Sequence, residues 1–261
     1  MIISVINHAA PSVKDEEIQR VVRAINRQIT GDFAPYWSLG ATLRLEGRSG
    51  RSPSKQSLAD MRGDAVIYVW DGSDADDAVG YHEINNRGIP CGFVFTEVAK
   101  ELKEHWSVTL SHEALELIGD PEANLLAMGP HPVHPGRDVF HYYEMCDAVQ
   151  DEVYEIDGVE VSNFVLPLYF TGGDETGGRN DFLGRLHPGG TLRSFNVNPG
   201  GYVGFFDAKL GKDLTFEADA KAERRQRIKG RLGQARRGNR YRRFHTDPTT
   251  PILRVAKGGR R

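Results

Sequence analysis

Cysteine is scarce in this chain: only Cys91 and Cys146 occur in 261 residues, so a disulfide framework is not implied. No apolar run approaches the roughly 20 residues that a membrane-spanning helix needs. The opening MIISVINHAAPSVKDEE lacks a basic segment followed by a long apolar core, so no secretory leader is read there. The expectation is a cytoplasmic protein without a membrane partner. Phosphate loops are lacking too: the glycine-rich stretch 171–201 holds neither a GxxxxGKS/T nor a GxGxxG pattern and reads as loops and turns. No internal repeat occurs at any period, and no helix-turn-helix or zinc-finger pattern is found.

What is present is a chain long enough for one large or two small domains. Hydrophobic residues make up 39% and charged residues 26%, ordinary values for a globular protein. The net charge of −3 conceals an asymmetry. Residues 221–261 hold 15 Lys and Arg against Glu223 and Asp247, leaving 18 basic against 34 acidic residues in the first 220. An acidic body thus precedes a basic, Arg-rich tail carrying Tyr241 and Phe244. The tail has little apolar periodicity and is expected to be mobile when unbound.

Periodicity places the elements. Residues 2–7 read as a strand. A helix follows, with Ser12 as N-cap, Val13, Ile18, Val21, Val22, Ile25 and Ile29 on one stripe, and Gly31 as its stop. Tyr36 to Leu45 reads as a second strand and 46–63 as a loop or excursion. Ala65 to Trp70 (AVIYVW) is continuously apolar and so expected to be central. Gly80 to Asn86 and Gly92 to Thr96 read as strands, and Val98 to Ile118 as one helix or two meeting near His105. Downstream, 129–136 (GPHPVHPG) reads as irregular loop. Val153–Ile156 and Val159–Val161 flank the hairpin turn Asp157-Gly158. Phe164 to Phe170 reads as core, with Pro167 arguing against a central strand. Tyr202 to Phe206 reads as a last strand.

The chemistry concentrates in WSVTLSHEALELIGDP, residues 106–121. His112 and Glu116 stand four apart and share a helix face, and Glu113 adjoins the histidine: a metal-and-base arrangement. Exposed helices often carry such charged runs without function, so the rest of the chain must decide. The stretch resembles the HExxH helix of the zincin metallopeptidases, with glutamate replacing the second histidine. The element order over roughly residues 1–150 agrees with that resemblance.

The resemblance implies an α+β, zincin-like fold: a small mixed sheet, a helix carrying the metal motif, and a loop-rich C-terminal half. One domain would cover 1–220, with sheet and motif helix in 1–120 and the third ligand in 121–220, followed by the tail. It implies that Gly92–Thr96 lines the substrate cleft. It also implies that His112 and Glu116 bind zinc, carboxylate oxygen being an acceptable ligand, and that Glu113 activates a water. Glu144 is the leading third ligand, with Asp147 three residues on orienting His112 from behind. His131, His134, His141, Asp120 and Cys146 compete for the third position. Tyr142, Tyr143, His141 or His82 would assist the oxyanion. A carboxylate-rich ligand set also admits Mn or Fe. The expected function is a metal-dependent peptidase or amidohydrolase acting on a peptide or protein. The alternative is an inactive zincin-like structural or interaction protein whose tail docks on nucleic acid or an acidic partner.

Overall fold

The computed structural model describes residues 1–46, 63–71, 80–84, 88–172 and 178–223. The expectations for most of the 46–63 excursion and for the basic tail beyond residue 223 lie outside the described residues.

Alternation inside the apolar strands sets the layers. β1 (Ile2–Asn7) sends Ile3 and Val5 into the main core and Ile6 to the opposite face, where it meets Val66 and Cys91. α1 (Asp15–Arg27) buries Ile18, Val21, Val22 and Ile25. Its N-cap is Lys14, whereas the Ser12 hydroxyl donates to Asp71 Oδ2 at 2.8 Å. Gly31 does not end the helical run, which continues as a π-helical turn (Gln28–Phe33) into the short α2 (Ala34–Trp37). The strand expected from Tyr36 therefore begins only at Thr42, as β2 (Thr42–Glu46). Tertiary anchoring overrides the weak alternation: Trp37 Nε1 donates to Val165 O at 3.0 Å, and its ring packs on Phe33 and Tyr143.

β3 (Ala65–Trp70) is central, paired in parallel with β1 and with β5 (Pro90–Phe95). β4 (Gly80–Ile84) pairs antiparallel with β5, and the sheet order is β2-β1-β3-β5-β4. The outer strand beside the motif helix is thus β4, not the Gly92–Thr96 segment, which is enclosed between β3 and β4. The helical stretch after β5 is two helices, α3 (Thr96–Glu101) and α4 (Trp106–Gly119). His105 caps the second, its Nδ1 accepting from Ser107 N at 3.2 Å.

A second sheet, ordered β11-β10-β7-β6, is antiparallel throughout. Its strands are β6 (Leu126–Pro130), β7 (Asp138–Tyr142), β10 (Tyr202–Asp207) and β11 (Lys212–Glu217). β6 takes in Gly129 and Pro130, which the sequence pattern assigns to loop. Between β7 and β10, β8 (Val153–Ile156) and β9 (Val159–Ser162) form the expected hairpin. Asp157 and Gly158 at its turn have φ of 53° and 70°, the positive pair of a type I′ turn. Phe164 and Tyr169 are core residues, and Pro167 opens a 3₁₀ turn (Pro167–Phe170) rather than a strand. The described residues form a mixed α+β architecture of three sheets and four α-helices. None of those helices is long and apolar enough to cross a membrane.

Candidate metal centre

All fourteen residues of α4 are buried. A helix enclosed on every side should be apolar all round, yet this one carries polar groups that each require a partner. Ser107 Oγ donates to Glu160 O at 2.6 Å. Ser111 Oγ accepts from Ser162 N at 2.7 Å and donates to Val108 O at 3.0 Å. These two serines fasten β9 along the helix. His112, Glu113 and Glu116 meet β4 and the 144–147 segment instead.

Close approach on two sides depends on glycine. A Cβ at Gly80 would stand 2.5 Å from Thr109 Cγ2, 2.9 Å from Phe93 O and 3.0 Å from Glu113 Oε1. A Cβ at Gly119 would overlap Met145, whose neighbours 144–147 enter the site from β7. That segment is no helix: it bends out of β7 into a 3₁₀ turn (Asp147–Val149), so Glu144 and Asp147 arrive separately. Val165 N donates to Met145 O at 2.7 Å and Asn198 N to Ala148 O at 2.9 Å, which fixes the segment.

The result is a buried group of two imidazoles and four carboxylates. His112 Nε2 lies 3.3 Å from Glu116 Oε1 and 3.2 Å from Asp147 Oδ1. His82, on β4, has Nδ1 3.4 Å from Glu113 Oε2 and 3.6 Å from Glu116 Oε2, with Nε2 3.9 Å from Glu144 Oε2. Among the described residues, two sets of ligand atoms fall within 4.8 Å of one another, His112–Glu113–Glu116 and His82–Glu116–Glu144. Glu144 is therefore grouped with His82. Asp147 meets the same nitrogen of His112 that Glu116 meets, rather than supporting the ring from behind. No known protein family, curated protein or solved structure matches this chain. The site rests on its own geometry.

The other candidates are engaged elsewhere. The Asp120 carboxylate accepts from Asn124 N at 3.0 Å and Leu125 N at 2.9 Å, organising the exit from α4. His131 Nδ1 accepts from Val133 N and His134 N, and its Nε2 faces Asp207 at 4.0 Å. His141 Nε2 donates to Pro130 O at 2.9 Å in the second sheet, and burial lowers its pKa. The Tyr142 hydroxyl donates to Asp213, and the Tyr143 ring stacks on Phe170. Cys146 contributes its main chain: its N–H donates to Glu116 Oε1 at 3.2 Å. Burial pushes its thiol, and that of Cys91, upward (the latter to about 12), and both are buried free thiols. Of the suggested oxyanion helpers, only His82 belongs to the group. Its sequence signal was faint: one histidine at an inward position of a short strand.

Electrostatics decides what such a group can hold. Burial raises the Glu116 carboxyl above its ordinary value; His112 opposes the shift, and the charges of Asp147 and Glu144 add to it. None of the four carboxylates is more than 6% exposed. Buried like charges persist only with protons or a cation among them. The spacings suit a cation: donors bound tetrahedrally at about 2.0–2.2 Å stand about 3.3–3.6 Å apart, longer than an ordinary hydrogen bond. The donor set of nitrogen and oxygen atoms could thus hold a metal ion.

Proposed function

We propose that this chain is a metal-dependent peptidase or amidohydrolase of zincin-like design. The observation that supports it is the buried convergence of His112, Glu113 and Glu116 from one helix with Glu144 and Asp147 from another segment. His112 and Glu116 would hold the ion, with Glu144 and Asp147 within reach. A bound zinc, or manganese or iron in so carboxylate-rich a set, supplies Lewis acidity and eases ionisation of a water. Glu113 takes the proton of the attacking water and delivers it to the leaving amine. His82 Nδ1, 3.4 Å from Glu113 Oε2, orients that carboxylate. β4 is the outer strand of its sheet, suited to align an extended peptide across the centre.

Elemental analysis of the purified full chain tests this reading, beside His112→Ala and Glu116→Ala. Metal in near-stoichiometric amount, depleted in both variants, is expected, together with amide cleavage that Glu113→Gln lowers about 10²–10⁴-fold while retaining the metal. A chain that takes up no zinc, manganese or iron refutes the proposal. A metal-loaded chain inert toward a broad peptide library would instead favour a non-catalytic binding role.

A further inference from the structure

We propose that His82, Glu116 and Glu144 form a second divalent-cation site beside the first, with Glu116 bridging the two ions. This inference rests on the metal-dependent reading above and adds to it a site on a strand that the helix motif does not include.

The two oxygens of Glu116 are divided between two histidines. Oε1 faces His112 Nε2 at 3.3 Å and receives the Cys146 N–H at 3.2 Å. Oε2 faces His82 Nδ1 at 3.6 Å. Each side has a further carboxylate: Asp147 Oδ1 is 3.2 Å from His112 Nε2, and one ligand atom each of His82, Glu116 and Glu144 lie within 4.8 Å of one another, Glu144 Oε2 facing the Nε2 edge of His82 at 3.9 Å while Nδ1 keeps its contact with Glu113. The group is therefore two half-sites, each a histidine plus a carboxylate, joined by one shared carboxylate. A bridging carboxylate between ions about 3.5–4 Å apart is the arrangement of two-metal hydrolytic centres, where one ion serves the attacking oxygen and the other the leaving group.

Charge balance points the same way. Glu113, Glu116, Glu144 and Asp147 are all buried. One divalent ion matches two of their charges in number, and two ions match all four. His82 has 0% exposure and is placed by the β4–β5 ladder, His82 opposite Gly92. A residue so fixed gives the second ion a rigid nitrogen ligand.

The test uses the full chain, stripped with a chelator and reloaded with Mn²⁺. Two Mn²⁺ per chain with an exchange-coupled paramagnetic resonance spectrum are expected. In His82→Ala the expectation is one Mn²⁺ per chain with an isolated-ion spectrum. One Mn²⁺ per chain in the unaltered protein, uncoupled and unchanged in His82→Ala, would overturn the second site and leave the single-metal reading standing. Two ions retained in His82→Ala would overturn the assignment to His82. Failure to bind Mn²⁺, Zn²⁺ or Fe²⁺ at all would overturn both readings. Should His82→Ala not fold, as judged by circular dichroism, stoichiometry and spin coupling of the unaltered chain decide the matter, with His82→Gln as the second variant.

Discussion

Gly80 is where the outer strand meets the motif helix, and Gly80→Ala tests that contact. The added methyl would stand 2.5 Å from Thr109 Cγ2 and 2.9 Å from Phe93 O. A threonine methyl can shift a few tenths of an ångström, but Phe93 O belongs to the β5 backbone beside which β4 runs. The helix cannot retreat either, because β9 is fastened along it through Ser107 and Ser111. β4 must therefore move outward, carrying His82 from Glu113 and Glu116. Overpacking of this kind costs about 1–3 kcal/mol, read as a lower urea midpoint with unchanged slope. Thr109→Ser removes the Cγ2 atom, so the double variant Gly80→Ala/Thr109→Ser should regain part of the loss but not all, the carbonyl contact remaining. Both variants should bind metal more weakly. A Gly80→Ala protein as stable as the parent, or a double variant with strictly additive losses, would refute the packing argument.

Three further outcomes follow from the same contacts. Ser111→Ala leaves the buried Ser162 N–H without its 2.7 Å acceptor and should cost about 1–3 kcal/mol by chemical denaturation; a loss below the error of the urea curve would contradict it. Gly158 has φ of 70° with open space around its Cβ, so Gly158→Ala should cost only the left-handed penalty of about 1–2 kcal/mol. For metal-free protein, burial first, then the Asp147 and Glu144 charges, raise the Glu116 carboxyl above its ordinary 4.5, against the pull of His112. Its contribution is present below pH 4.5 and is lost as pH rises through the folded-state value. Metal-free protein should thus lose stability with rising pH there, Glu116→Gln should flatten that slope, and identical slopes in the two would sink the idea.

Much of the molecule was legible because local and tertiary preferences agree. AVIYVW is central because a strand enclosed on both faces needs continuous apolar character, and Asp157-Gly158 turns because its backbone requires positive φ. The motif helix was legible from spacing alone. Failures came where contacts distant in sequence decide: Trp37, bound to Val165, holds helical a stretch whose alternation suggested a strand. Glu144 and Asp147 stand three apart in the sequence, and they reach the site from a bend that Gly119 and Met145 permit. His82 could not be singled out, because it is sheet order that brings β4, as well as β5, against α4. β5 precedes the helix in sequence, but β4 folds back to the outside of it.

The bond from Cys146 N–H to Glu116 has a consequence for how this site tolerates mutation. The group that aims the shared carboxylate is a peptide amide, present whatever side chain stands at position 146 except proline. Replacing Cys146 by alanine or serine alters packing around a buried sulfur but leaves the aiming bond in place. Inheritance of the site therefore constrains the path of the chain at 146 more tightly than its letter. Small side chains that fit the buried space at 146 keep the Glu116 carboxylate aimed as it is.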